Sequence, residues 1–335
     1  MKYVEIGKTG IRISRICAGC MSFGKASEKF HLWTLDEKRT REMVACALDH
    51  GVNFFDTANV YSFGTSEEYL GRALKDLKAP RDKVVIASKV YFNEGRLSGK
   101  AIKREIEGTL KRLGTDYLDL YIIHRFDYGT PIEDTMEALD GLVKAGKVRA
   151  LGASAMYGYQ FHNMQECARQ NGWTQFSAME NHYNLLYRED EREFIPVARQ
   201  YGAILMPYSP LAGGHLSHPG WDADTLRAKT DKVISEKYDR AKENDLEIIG
   251  RVDEVARKLG VSMAEVSLAW LLKRGVESPI VGATNPKHFA EAAKAVDLEL
   301  SDEDARYLEE PYRAHDVVGA LDRNPEASGP FAATK

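Results

Sequence analysis

The feature that most constrains this chain is an alternation repeated eight times: a short apolar, β-rich run, then an amphipathic stretch with apolar spacing near 3.6. The runs are Ser14–Ala18, Asn53–Asp56, Val84–Ser88, Tyr117–Ile123, Val148–Ala153, Ser177–Glu180, Ala203–Tyr208 and Pro279–Gly282. Thr40–Asp49, Lys100–Leu113 and Thr135–Ala145 are examples of the stretches between them. Strands separated by helices, recurring mostly about every 30 residues, cannot pair by hairpins and require parallel crossovers. Eight such units predict a (β/α)8 TIM barrel. An open doubly wound sheet normally needs fewer units and a glycine fingerprint, which is missing here.

The 335 residues suit one such barrel, since the fold takes roughly 250 before insertions. Residues 1–335 are therefore read as a single domain. Ahead of the first barrel strand, Tyr3–Ile6 and Ile11–Ile13 flank Gly7-Lys8-Thr9-Gly10, an N-terminal β-hairpin signal. Gly7-Lys8-Thr9 brushes against a phosphate-binding loop, but Lys2 stands where that motif needs its earlier glycine. The rhythm breaks from Pro210 to Leu246, a long loop after strand 7, and loops of that length are usually functional. Helical stretches over Glu247–Leu259 and Ala264–Arg274 lead to the last strand, and the tail after Pro311 is loose enough to cover the barrel mouth.

A formal net charge of −4 without a basic tract argues against a nucleic-acid partner. No apolar run approaches the ~20 residues of a membrane span, and MKYVEIGKTG is no signal peptide, so a cytoplasmic enzyme is expected. Cys17 and Cys20 form a C-x-x-C with no second pair, which reads as buried structural thiols rather than zinc ligands or a redox dithiol.

Reactive groups of such barrels sit at the carboxyl ends of the strands. Strand two closes with Asp56, followed by Tyr61 in the loop; strand three closes with Lys89 and strand four with His124. Taken singly, Lys89 and Asp56 read equally well as a structural ion pair, Tyr61 as a packed aromatic and His124 as a core histidine. Together they suit carbonyl reduction, in which hydride arrival creates an alkoxide that needs a proton. A tyrosine is a reluctant donor, with a pKa near 10. A nearby ammonium lowers it, an aspartate keeps that ammonium charged, and a neutral histidine orients the carbonyl oxygen. A metal-dependent alternative would use His124 and Asp56, but Lys89 between them repels a cation, and no metal is expected.

At these residues the chain resembles the aldo-keto reductases. Gly51-Val52-Asn53-Phe54-Phe55-Asp56-Thr57-Ala58-Asn59-Val60-Tyr61 runs on into Ser66-Glu67-Glu68-Tyr69-Leu70-Gly71-Arg72-Ala73-Leu74 as in that family. Leu113-Gly114-Thr115-Asp116-Tyr117-Leu118-Asp119-Leu120-Tyr121 with His124, and Lys144-Ala145-Gly146-Lys147-Val148-Arg149, are similar too. Asn181-His182-Tyr183-Asn184-Leu185 and Gly152-Ala153-Ser154 resemble a bacterial branch close to the potassium-channel β-subunit-like reductases.

The resemblance implies that Asp56, Tyr61, Lys89 and His124 are a catalytic tetrad with Tyr61 as general acid. It implies NADPH/NADP+ bound extended, with the nicotinamide against Tyr208, although an aromatic there serves equally as a lid over the core. Cys20, Met21, Asp56, Ser154 and Glu180 would lie along the cofactor. Ser209-Pro210-Leu211-Ala212-Gly213-Gly214 would clasp the pyrophosphate, small residues letting backbone N–H groups approach. Arg227 and Lys229 resemble contacts to the 2′-phosphate; Gly282, Thr284, His288 and Glu291, with Lys287, would meet the adenosine half. A helix opening near Pro286 would present its N-terminus to phosphate. Two departures weaken the match: Ala155 replaces a common asparagine, and Glu180 a common glutamine.

Trp33, Phe126 and Tyr128 are expected in the substrate pocket, with Tyr91, Trp221 and Arg125 as further candidates. Arg125 suits either an anionic substrate group or an outward salt bridge. Small activated aldehydes fit such an aromatic pocket. The competing readings are alcohol oxidation in reverse and a cofactor-sensing binding module like channel β subunits. A monomer is the default expectation, with a homo-oligomer as the alternative.

Overall fold

The computed structural model describes residues 1–318. A hairpin of β1 (Tyr3–Glu5) and β2 (Arg12–Ser14) precedes eight parallel strands: β3 (Cys17–Gly19), β4 (Phe54–Asp56), β5 (Val85–Val90), β6 (Leu118–Ile123), β7 (Val148–Ser154), β8 (Phe176–Glu180), β9 (Ile204–Leu205) and β10 (Ile280–Gly282). Their order is β10-β3-β4-β5-β6-β7-β8-β9. Between β9 and β10, Ile280 N donates to Pro207 O at 3.0 Å and draws the two edges together. This is the expected (β/α)8 barrel.

Two apolar cores follow from the alternation of strand side chains. Inward-facing Cys17, Phe54, Val85, Ala87, Leu120, Ile122, Ala150, Ala178, Ile204 and Ile280 pack with Ile6, Ile11 and Ile13 of the hairpin, which closes one end of the barrel. Outward residues pack against the helices in a second, larger cluster. The opposite end, where the strands finish, is left for polar groups.

Three boundaries differ from the sequence reading. The run Ser14–Ala18 splits, because Ser14 Oγ donates to Ile16 O at 2.6 Å and turns the chain from hairpin into barrel. The seventh barrel strand shrinks to Ile204–Leu205 because Pro207 offers no N–H, although Met206 and Tyr208 still donate to Met179 O and Asn181 O. The stretch Pro210–Leu246 is no structureless loop: it holds helices Leu226–Thr230 and Lys232–Tyr238, and a long helix already begins at Lys242. The two short helices are capped by Thr225 and Asp231, and are too brief to show periodicity.

Candidate active site

Strand alternation carries a second inward layer above the apolar one. Two residues beyond Phe54, Ala87, Gly152 and Ala178 come Asp56, Lys89, Ser154 and Glu180, all buried. Lys89 Nζ is the hub of this layer. It donates to Asp56 Oδ2, to Thr57 O at 3.0 Å and to Tyr61 Oη at 3.2 Å, and stands 3.4 Å from Glu180 Oε2. The His124 ring lies edge-on to Tyr61, with centroids 5.8 Å apart. Four residues from three strand ends and a loop thus converge as the sequence suggested, joined by Glu180 as a direct neighbour of the lysine.

The electrostatics follow from two carboxyl groups sharing one ammonium in a buried layer. Burial opposes the charge on Lys89, but Asp56, Glu180 and Tyr61 outweigh it and hold the ammonium well above its ordinary pKa. Burial raises Asp56, against the pull of Lys89. Glu180 has the looser contact and moves to about 8, driven by burial and then by Asp56. Tyr61 is raised by burial; Lys89 pulls it down while Glu180 and Asp56 push it up. The ammonium therefore limits the rise of the phenol without bringing it below its ordinary value, a correction to the expectation from sequence. Burial, then Lys89 and Arg125, keep His124 neutral.

Tyr61 owes its place to unusual backbone. Ser62 and Phe63 have φ of 46° and 56°, and Gly64 follows at 90°. Left-handed conformations cost non-glycine residues about 1–3 kcal/mol each and gather at functional sites. Gly24 makes room for this turn: a Cβ there would lie 2.5 Å from Ser62 Cβ. Among the described residues the other non-glycine positive φ values fall at Lys78, Arg96, Ala155, Ser209 and Ala212. All but Lys78 lie in loops that leave the carboxyl end of a strand.

Unpartnered buried atoms mark the same end. Asp56 Oδ1, His124 Nδ1 and Asn181 Oδ1 lack a hydrogen-bond partner, and Glu180 Oε2 has only its ionic contact with Lys89. Buried polar atoms are normally satisfied, so such a cluster calls for a ligand or water.

The other cofactor candidates form a track across the strand ends. Ser154 lies beside Glu180 in register, and Ala155 turns left-handed. Cys20 is buried, and Ser22, just past Met21, donates to Ala283 O at 2.9 Å, tying the first and last barrel loops together. Cys17 and Cys20 are both free, one facing the barrel interior and one the helix layer. Ser209, Pro210, Leu211, Ala212 and Gly213 form a tight turn against the following short helices, with a Cβ on Gly213 meeting Ile234 at 2.9 Å. Gly282 ends β10, and Thr284 precedes helix Pro286–Ala295, whose cap Asn285 accepts from Lys287 N. His288 and Glu291 are on that helix, and Lys287 pairs with Glu291 at 3.4 Å.

Several candidates have company of their own. Arg227 pairs with Asp231 at 3.2 Å and lies 4.4 Å over the ring of Trp33, so Trp33 joins the first barrel loop to the segment after β9. Lys229 pairs with Asp224. Tyr208 stacks on His182 at 5.2 Å, with the Lys237 ammonium 4.7 Å from its ring centre. Trp221 stacks on His215 at 4.1 Å and donates to Asp239, packing within its own segment. Tyr91 packs on Phe92, Phe126 on Tyr128, and Arg125 lies over Phe92.

Four residues at the mouth escaped the sequence reading. Phe92 touches His124 at 5.1 Å, and Phe30 lies 6.3 Å from Tyr61 and 6.1 Å from Phe63. Arg39, on helix Glu37–Asp49, donates to Thr284 O at 3.2 Å. Phe92 had a signal in its place beside Tyr91 after a strand end; Phe30, Phe63 and Arg39 had none. The tail arrives here as well. Val318 lines a small cavity together with Ala155, Met156, Met179 and Tyr208, whereas residues 319–335, which the sequence reading took into the same domain and tail, lie outside the described part.

Residues 15–313 match the model of the Aldo/keto reductase family. The chain is 40% identical to versiconal hemiacetal acetate reductase of Aspergillus parasiticus, over 93% of this chain and 97% of that protein. It is also 40% identical to a Schizosaccharomyces pombe protein provisionally named aryl-alcohol dehydrogenase, over 95% and 98% of the two chains. The same identity holds with aldo-keto reductase AMT2 of Alternaria alternata, over 95% and 93%. These relatives are fungal. No described helix is long and apolar enough to cross a membrane. With its barrel, its strand-end cluster and these matches over nearly its whole length, the chain belongs to the aldo/keto reductase family of oxidoreductases.

Proposed function

We propose that the protein reduces aldehydes and ketones with NADPH, Tyr61 giving the proton. The observation that carries this reading is the contact of the Tyr61 hydroxyl with the Lys89 ammonium at 3.2 Å in a buried layer shared with Asp56. A phenol raised by burial keeps its proton until a stronger base forms beside it. An alkoxide developing at the substrate carbon is such a base. Lys89 stabilises the phenolate that remains, Asp56 fixes the lysine, and neutral His124 is free to orient the carbonyl oxygen. Phe30 beside Tyr61 and Phe92 beside His124 give this point apolar surface suited to small aromatic aldehydes.

The strand ends fit a nicotinamide nucleotide. The unpartnered atoms of Glu180 and Asn181 suit a carboxamide, and the turn with left-handed backbone at Ser209, Ala212 and Gly213 suits a diphosphate. Bound there, the nucleotide supplies the hydride. Tyr208 is the proposed platform for its ring, a position that competes with Lys237. Arg227, Lys229 and Lys287 favour the 2′-phosphate form: the exposed ammonium groups of Lys229 and Lys287 make contacts worth about 0–1 kcal/mol that exchange readily for a phosphate, and Arg227, though held by the buried Asp231, keeps part of its guanidinium in solvent.

Steady-state loss of NADPH absorbance with an aromatic aldehyde, run in parallel with NADH, tests the reading. Turnover with a lower dissociation constant for NADPH is expected. Tight NADPH binding without turnover of any aldehyde, ketone or alcohol would contradict it and favour a cofactor-sensing module akin to the channel β-subunit-like reductases.

A further inference from the structure

Glu180 is the buried acid that the proton transfer does not use. Asp56 Oδ2 already takes the hydrogen bond from Lys89, so Glu180 shares that ammonium only through a 3.4 Å contact. Both carboxyl groups are almost wholly out of solvent. If both ionise, a buried layer holds two negative charges against one positive, which low dielectric makes costly. The ionisable groups facing Glu180 are Asp56 on β4, Lys89 on β5, Tyr61 in the loop after β4, Cys17 on β3 and Tyr208 after β9. Lys89 is the one cation among them.

We propose that Glu180 makes the site discriminate oxidised from reduced nicotinamide, keeping its proton beside the neutral ring and releasing it to solvent beside the cationic one. The inference rests on the nicotinamide reading above. An oxidised ring brings the second positive charge that two carboxylates require; a reduced ring brings none. Releasing one proton balances the charge, with no bond formed or broken in the nucleotide. Glu180 is suited to respond near neutral pH, since its acidity is displaced to about 8, whereas burial moves Cys17, Tyr61 and Tyr208 further from neutrality. A glutamine at this place could form hydrogen bonds but could not change charge, so the site would lose this dependence on redox state.

The test is the ratio of dissociation constants, NADP+ over NADPH, measured by fluorescence titration of the intact protein from pH 6 to 8. Titration of the phosphates affects both nucleotides and cancels in the ratio. A group that must lose a proton for one ligand alone changes its affinity up to tenfold per pH unit. The ratio is expected to fall about 10-fold across this range in the wild type, and to stay within about 2-fold in Glu180→Gln. Calorimetry in two buffers of different ionisation enthalpy should show proton release with NADP+ and little with NADPH. A flat wild-type ratio with both nucleotides bound tightly overturns the role of Glu180 alone, as does an unchanged slope in Glu180→Gln. Failure of either nucleotide to bind overturns the nicotinamide reading and this inference with it.

Discussion

The wall formed by the ends of β4, β5, β6 and β8 and the segment after β9 meet the same mouth in opposite ways. On the wall, Asp56, Lys89 and Glu180 are buried, carried by paired strands and fixed to one another. Across from it, Arg227 and Lys229 sit on a five-residue helix; the Lys229–Asp224 pair lies in solvent, and Arg227 is partly exposed above the buried Asp231. Buried charges cannot exchange partners cheaply, whereas exposed ones can. The wall should therefore set the chemistry, and the segment after β9 the grip on the nucleotide. Substitutions in the two regions ought to separate turnover from affinity.

The largest effect is expected on the wall. Lys89→Met should abolish measurable reduction and destabilise the fold by about 3–5 kcal/mol, because two buried carboxyl groups lose their cation. Those groups then stay folded only when protonated, so the loss in urea denaturation should grow as pH rises from 5 to 8. A variant as stable as wild type at pH 8 would break the picture of a charge-coupled wall.

An intermediate effect is expected in the opposite region. Arg227→Ala should raise the dissociation constant of NADPH about 10-fold, the scale of one charge-assisted hydrogen bond, and that of NADH less than about 2-fold. Turnover at saturating NADPH should change little. Equal weakening of both nucleotides would remove Arg227 from contact with the 2′-phosphate and assign its value to packing on Trp33.

The smallest effect concerns how the segment is held down. His315 Nε2 contacts the buried Asp245 at 2.9 Å, and Tyr312 donates to Glu189 at 2.7 Å. Burial pulls His315 down, but its bond to Asp245 outweighs this and raises it. A raised histidine contributes stability that is present below its unfolded pKa and lost as pH rises through the folded one. His315→Gln, which keeps a donor for the buried Asp245 but loses the charge, should thus cost about 1 kcal/mol near pH 6, and the cost should fade by pH 8. Faster amide exchange in residues 232–245 at pH 6 would show the clasp being released. An effect that grows toward pH 8 would contradict it.

The two regions also differ in how far the sequence revealed them. The wall was legible because strand periodicity fixes direction: once Phe54 faces inward, Asp56 must as well, and Ala87 carries Lys89 with it. Neighbours across the barrel were not legible in that way. Glu180 entered as a cofactor contact, and only the closed sheet brings it to Lys89. Likewise Trp33 was expected in the pocket and Trp221 was a further candidate, but one meets Arg227 and the other packs on His215. Their partners come from loops whose course no periodicity dictates. Lys89 does pull Tyr61 down as the sequence suggested, but the final balance was misjudged for a related reason. A ranking by charge alone omits burial, which is the largest influence on Tyr61.

The most direct trial of the phenol as proton donor is single-turnover reduction of an aromatic aldehyde by Tyr61→Phe, with nucleotide affinity measured beside it. We expect NADPH to bind within a few-fold of wild type and hydride transfer to slow by at least ~10²-fold, the scale of a lost general acid. Wild-type transfer rates in Tyr61→Phe would contradict the account.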